Sequence, residues 1–360
     1  MVSIVLPENF THTFTVASGN VFPEKIMAMS DKTVVMGAEP GKRDLTVCPL
    51  CNVKMVQSPA ASTYICPRCG FSKVICNTFE PGTVLGGKYR VLNRLGGGGC
   101  GDLFLCHPLD NTQERYVLKI LRDASSPQMF KRFLREAEIL RNIREPRIVK
   151  LLDSWSDADG SYIILEYVDG KNLSQLREKY QFDEKTVLLF LREAVLALAY
   201  AWDNLSIAHR DIKPDNIMLD KKGHIRILDF GLSKSTMDEF GSQITIEQAG
   251  LGTPGFMSPE QYCNFKYADF RSDIFSLGAT VCYLFTGKAP FDGRSSRIVY
   301  ENTLKNSPPS YQMLADYCSG DCIELIRWMM QKEPSRRPSS YRELLETIDS
   351  IRSNLMENNP

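Results

Sequence analysis

The sequence predicts a bilobal α+β protein, with a small metal-folded module ahead of it. Three observations carry this. Strand-like alternation dominates from Lys88 to about residue 168, and helical spacing takes over after residue 173. The junction near Glu166–Gly170, "EYVDG", reads as a hinge. Ahead of both halves, "CPLCNVKMVQSPAASTYICPRCG" (residues 48–70) places two Cys-x2-Cys pairs fourteen residues apart.

Residues 1–47 show no sustained period, are rich in Thr, Ser, Gly and Pro, and read as a flexible segment. In residues 48–76, Cys48, Cys51, Cys66 and Cys69 supply four soft thiolates on two tight knuckles. Such a set closes a tetrahedron around Zn²⁺ and leaves no position open for water, so the ion is structural. A segment this short buries too little apolar surface to fold alone, and the metal supplies the folding energy. The pattern resembles a zinc ribbon; a rubredoxin-like iron site uses the same ligands and is the competing metal identity. Cys76 reads as a spare thiol.

Residues 77–87 read as a linker. In the small lobe, 88–168, "YRVLNRLGGGGCGDLFLCHP" reads as two strands around a glycine turn, and "ERYVLKIL" as a third strand. "SPQMFKRFLREAEILRNI" reads as a helix with Phe130, Phe133, Leu134, Ala137, Leu140 and Ile143 on one face. "SYIILEYVDG" is a strand again. The large lobe spans 169–352, followed by a tail at 353–360.

The 360 residues carry 43 basic and 43 acidic side chains, so net charge gives no reason to expect nucleic acid or an anionic membrane as partner. The few basic residues of the cysteine segment, Lys54, Arg68 and Lys73, make no electrostatic stripe. Of the eleven cysteines, four hold the metal spacing and the rest are scattered. The N-terminus lacks a signal-peptide pattern, so a reducing, cytoplasmic location is expected. No apolar run reaches the ~18 residues that span a bilayer. The best candidate, "VLLFLREAVLALAYAW", is interrupted by Arg192 and Glu193 and reads as a buried helix.

An ordered series of motifs runs from the small lobe into the large one. Gly96-x-Gly98-x-x-Gly101 sits between two strands. Glycines there let backbone N–H groups approach anionic oxygens without side-chain clash. "YVLK" places Lys119 on the next strand and "FLREAEIL" places Glu136 on the following helix, with Glu138 as a competing assignment. Then come "AHRDIKPDNIML", "LDFGLSK", "GTPGFMSPE", "RSDIFSLGATVCYLFTG" and "EPSRRPS". With this set, residues ~85–352 resemble a eukaryotic-type protein kinase domain.

The resemblance implies ATP and Mg²⁺ (or Mn²⁺) as cofactors and protein substrates as partners. It implies that Lys119 holds the α- and β-phosphates while Glu136 fixes its ammonium. Asp211 would accept the proton of the substrate hydroxyl, Lys213 would contact the γ-phosphate, and Asn216 and Asp229 would hold the metal. Leu95, Gly96, Gly98 and Gly101 would cover the nucleotide. Leu103 and Val117 would roof the adenine and Met218 floor it. Backbone groups of Glu166 and Val168 would meet the adenine edge, with Leu165 as gatekeeper. Lys213 and Thr253, in "GTPGF", resemble the serine/threonine class. Arg210 is the arginine that would pair with a phosphate on the segment 229–260, and Thr245 is the phosphoacceptor chosen there. His209 and Asp273 would brace the catalytic loop, and Glu260 and Arg337 would form a buried ion pair. Cys100 reads as a small tolerated residue. The complete set argues against an inactive scaffold, and the ribbon is expected to recruit a partner.

Overall fold

A computed structural model describes residues 54, 56–57, 63–65, 72–74, 79–98, 101–121, 127–157, 160–230, 255–264, 268–293, 296–305 and 311–357. The chain divides at Phe79 into a small unit and a large one.

The small unit is an antiparallel sheet of three short strands, β1 (Val56–Gln57), β2 (Thr63–Ile65) and β3 (Ser72–Val74), in the order β1-β2-β3. Val56 pairs with Ile65, and Tyr64 with both Gln57 and Lys73. Cys66 and Cys69 fall in the connection from β2 to β3 by sequence. Like Cys48 and Cys51, they lie outside the described residues.

The large unit begins with a six-stranded antiparallel sheet. It is built from β4 (Val84–Leu85), β5 (Tyr89–Gly98), β6 (Gly101–Pro108), β7 (Tyr116–Leu121), β8 (Leu151–Asp157) and β9 (Gly160–Glu166), in the order β4-β5-β6-β7-β9-β8. Strand β4 lies in the stretch read as a linker. Leu85 is buried there, and Phe79 meets the edge of Phe104 at 5.8 Å. Two residues of strand carry too little periodicity to be seen in sequence, yet Leu85 and the partly buried Phe79 join the core on the sheet's outer face.

The period of two along β7 assigns its side chains to different cores. Leu118 joins Tyr89, Phe104, Tyr162 and Ile164 on the outer face, where Trp155 stacks between Tyr89 and Tyr162 at 5.7 and 4.8 Å. Val117 and Leu121 face inward, toward helix α1 (Pro127–Asn142) and the rest of the molecule. On α1, Phe133, Ala137 and Leu140 are buried as the helical spacing predicts, with Ile143 just beyond its end. Leu134 is a correction: it is 46 % exposed, and its neighbours Ile139 and Glu136 take the buried positions instead.

Beyond the hinge come β10 (Gly170–Asn172), α2 (Leu173–Arg177) and α3 (Glu184–Leu205). The side chain of Asp183 caps α3 by accepting from Thr186 N–H at 2.8 Å. Arg192 and Glu193, the two charges that interrupt its apolar run, reach Asp349 and Arg147 at 2.7 and 2.6 Å. β11 (Ile217–Asp220) and β12 (Ile225–Ile227) complete a small sheet with β10. Then follow α4 (Pro259–Asn264), α5 (Phe270–Thr286), α6 (Ser296–Lys305), α7 (Gly320–Met329) and α8 (Tyr341–Glu357). Thirteen of the seventeen residues of α5 are buried, which makes it the central post of this lobe. α8 runs through Glu357, past the boundary placed at 352. Among the described residues, no helix is long and apolar enough to cross a membrane.

Candidate active site

The site is built from four elements: β7, α1 and the two loops that flank β11 and β12. Strand β7 presents Lys119 on its inner face, and α1 presents Glu136 from across the small lobe. The Lys119 Nζ donates to both Glu136 oxygens at 2.7 Å and to Asp229 Oδ1 at 2.8 Å. Glu138, the competing assignment, is exposed and pairs with Arg135 on the helix surface instead.

The three charges are tightly coupled. Burial alone would lower the Lys119 pKa, but the Asp229 and Glu136 carboxylates outweigh it and hold the ammonium charged. Burial pushes Glu136 up to about 7, with Lys119 opposing and Asp229 reinforcing the rise. Lys119 holds Asp229 down to about 2. One ammonium thus stands between two carboxyl groups. The Asp229 side chain is 49 % exposed, so it still faces outward.

The second half is the loop from His209 to Asn216. Lys213 Nζ donates to Asp211 Oδ2 at 3.0 Å and to Oδ1 at 3.3 Å. Asn216 Nδ2 donates to Asp211 Oδ2 at 2.9 Å and to the Asp211 carbonyl at 2.8 Å. Burial raises the Asp211 pKa, against the pull of Lys213. Because the Asn216 amide nitrogen is turned to Asp211, its Oδ1 points the other way.

The loop backbone is held from below. Asp273, fully buried on α5, accepts from the N–H groups of His209 and Arg210 at 2.8 and 2.7 Å, and from the Tyr341 hydroxyl at 3.4 Å. His209 accepts from the Asp211 N–H on Nδ1 and donates from Nε2 to the Leu228 carbonyl at 2.7 Å. Both contacts together require the neutral ring with its proton on Nε2. Its ring meets Phe230 at 4.6 Å. Arg210 (φ 67°) and Asp229 (φ 62°) are non-glycine residues in the left-handed region. Such conformations carry a cost and persist where surrounding bonds over-determine them.

Across the glycine hairpin, Gly96 pairs with Leu103 and Gly98 with Gly101. A Cβ on Gly101 would lie 2.3 Å from the Ile120 carbonyl oxygen, so the close approach of β6 and β7 admits only glycine there. Leu95 is 46 % exposed at the hairpin. Leu165 and Val168 are buried in the main core, with Val117 and Met218 half-buried against it. The Glu166 N–H donates to the Lys150 carbonyl at 3.0 Å, and its carboxylate accepts from the Lys150 N–H and pairs with Arg226. Thr253, Thr245 and Cys100 lie outside the described residues.

Glu260 and Arg337 meet in a two-pronged pair at 2.6 and 2.8 Å, with Ser272 Oγ also donating to Glu260. The Glu166–Arg226 pair and Gln261 are features that the sequence alone does not reveal. Nothing local marks them, because their partners stand 60 and 51 residues away.

The profile of the protein kinase domain matches residues 89–348, and the chain belongs to the protein kinase family, the enzymes that move phosphate from ATP to protein hydroxyls. It is similar to the serine/threonine-protein kinase PrkC of Bacillus subtilis, 34 % identical over 266 residues, which cover 73 % of this chain and 40 % of that one. The serine/threonine-protein kinase pkn2 of Myxococcus xanthus is 30 % identical over 279 residues, 76 % of this chain and 33 % of its own. The mitogen-activated protein kinase kinase kinase ANP1 of Arabidopsis thaliana is 32 % identical over 269 residues, 72 % and 39 %. The matched residues span a third to two fifths of the length of these relatives.

Proposed function

We propose that this chain is a serine/threonine protein kinase, transferring the γ-phosphate of ATP to Ser and Thr hydroxyls of protein substrates. The observation that carries the reading is the bond of Lys119 to both Glu136 and Asp229, which brings the small-lobe sheet, its helix and the loop after β12 to one point. Lys119 binds the α- and β-phosphates, and Glu136 holds its ammonium in place. Asn216 Oδ1 and the outward-facing Asp229 carboxylate are hard oxygen donors suited to Mg²⁺ or Mn²⁺. When bound, that ion neutralises charge on the phosphates.

Asp211 Oδ2 is occupied by Lys213 and Asn216, which leaves Oδ1, with only the longer Lys213 contact, for the substrate hydroxyl. As the hydroxyl oxygen bonds to the γ-phosphorus and the bond to the departing ADP oxygen breaks, the proton passes to the Asp211 carboxylate. The pKa raised by burial makes that carboxylate a better acceptor. Lys213 then sits beside the charge moving onto the phosphoryl group. Leu95, Gly96, Gly98, Gly101, Leu103, Val117, Met218 and the hinge at Glu166 and Val168 enclose the nucleotide. Transfer from γ-labelled ATP to casein, followed by acid hydrolysis, is expected to yield labelled phosphoserine and phosphothreonine; phosphotyrosine alone would overturn the class. Thr253 belongs to the same class reading. Mass-spectrometric mapping of the chain itself after the reaction is expected to find phosphate on Thr245, which Arg210 would pair with.

The small unit is read as a zinc ribbon that recruits a partner or substrate. Two observations support the metal: the four-thiolate donor set of Cys48, Cys51, Cys66 and Cys69, and three short antiparallel strands with the second knuckle in a β-connection. Treating the full chain with a strong chelator, then removing the chelator and restoring Mg²⁺, is expected to release one equivalent of zinc, to collapse the amide dispersion of residues 48–76 and to leave casein phosphorylation intact. Retained dispersion in the metal-free chain would contradict the site.

A further inference from the structure

We infer that Gln261 is a positioning residue for Asp211, an assignment that rests on reading Asp211 as the base. The peptide unit joining Arg210 to Asp211 is gripped at both ends. Its N–H donates to His209 Nδ1 at 3.2 Å, and its C=O accepts from Gln261 Nε2 at 2.8 Å. The preceding peptide N–H, that of Arg210, is tied to Asp273. This backbone sits at φ 67°, where a non-glycine residue stays only if its surroundings hold it. Gln261 supplies the hold on the carbonyl side, directly before the residue whose carboxylate must meet the hydroxyl.

The orientation of the Gln261 amide is fixed by chemistry. Its Oε1 accepts from the Ser258 N–H at 3.1 Å and the Ser258 Oγ at 3.0 Å. A backbone N–H only donates and the Arg210 carbonyl only accepts, so the amide oxygen must face Ser258 and its nitrogen must face Arg210. Gln261 is 3 % exposed and Ser258 fully buried, so water offers no substitute partner for either. The side chain therefore couples two stretches. One is the turn at 255–258, where a Cβ on Gly255 (φ 102°) would lie 2.6 Å from the Phe291 carbonyl oxygen. The other is the catalytic loop, one peptide bond from Asp211. A glutamate carboxylate at this position still accepts from Ser258 but cannot donate to Arg210, and a methionine fills the volume and does neither.

The test compares Gln261→Met and Gln261→Glu with wild type in the full chain. Steady-state transfer from ATP to casein is measured well below each melting temperature, with active sites counted by nucleotide titration. Both variants are expected to lower kcat about tenfold, the rate equivalent of about 1.4 kcal/mol, while KM for ATP stays within twofold. Ser258→Ala, which leaves the Ser258 N–H and the whole Arg210 contact in place, is expected to lose less. A purely structural role would lower the melting temperature and leave kcat per titrated site unchanged, and that result would overturn the assignment. Asp211→Asn is run in parallel: if it transfers phosphate at the wild-type rate, the reading of Asp211 fails. If Asp211→Asn is inactive and Gln261→Met has wild-type kcat, the Gln261 assignment alone fails.

Discussion

Asp211→Asn is expected to bind ATP normally and to transfer phosphate about 10³-fold more slowly, within the range for loss of a positioned general base. The substitution is nearly isosteric, and the bonds that hold the loop backbone do not use the carboxylate, which itself meets Lys213 and the Asn216 amide. Asp273 still takes the His209 and Arg210 N–H groups, and Asn216 still donates to the residue 211 carbonyl. The Lys119–Glu136–Asp229 contact proposed to receive the nucleotide phosphates is untouched. What is lost is the proton acceptor, together with the anion facing Lys213. The checks are the ATP dissociation constant and the transfer rate in the same preparation. A rate within a few-fold of wild type would show that Asp211 is not the base.

Arg337→Met is expected to cost about 3–5 kcal/mol of stability, the usual loss on removing one member of a buried ion pair. The Arg337 side chain is fully buried. Besides Glu260 it donates to the carbonyls of Gln331, Arg271 and Lys332 at 2.7, 2.9 and 3.1 Å, and its guanidinium lies over the Phe275 ring at 4.9 Å. Methionine fills much of the space but strands the Glu260 carboxylate and three carbonyls. A thermal melt should shift down by roughly 6–20 °C for a domain of this size.

The effect should depend on pH. Burial works to raise the Glu260 pKa, but the hydrogen bonds and charge of Arg337, with Ser272, bring it below the ordinary glutamate range. A carboxylate with a folded pKa below its unfolded value of about 4.3 stabilises the fold above that pH. The contribution is lost as pH falls through the lower, folded value. The gap between wild type and Arg337→Met should thus be constant near neutrality and narrow below about pH 4. A gap that widens with acid would contradict the sign.

The residues proposed for catalysis are legible in sequence because phosphoryl transfer demands particular chemical groups. Lys119, Asp211, Asn216 and Asp229 each sit in a short motif whose residue types suit anions and a hard cation, and the structure joins Lys119 to Asp229 and Asn216 to Asp211. Burial of α1 is legible only in part. A stripe of apolar residues fixes which side of the helix faces inward, but not its rotation to within one residue, so Leu134 is exposed while Glu136 is buried. Strand β4 is hidden by its length. Gln261 and the Glu166–Arg226 pair are hidden for a different reason. A glutamine after a glutamate, or an arginine inside a strand, looks like solvated surface until the fold supplies its partner.

Whether the complete site turns over, rather than serving as an inert scaffold, is decided by one assay. Label is followed from γ-labelled ATP to casein with the purified full chain, and Asp211→Asn is the paired control. Sustained labelling of serine and threonine is expected from the wild-type chain, with about a thousandth of that rate from the variant. A wild-type chain that binds ATP and Mg²⁺ yet leaves casein unlabelled would show instead that the assembled residues do not catalyse transfer.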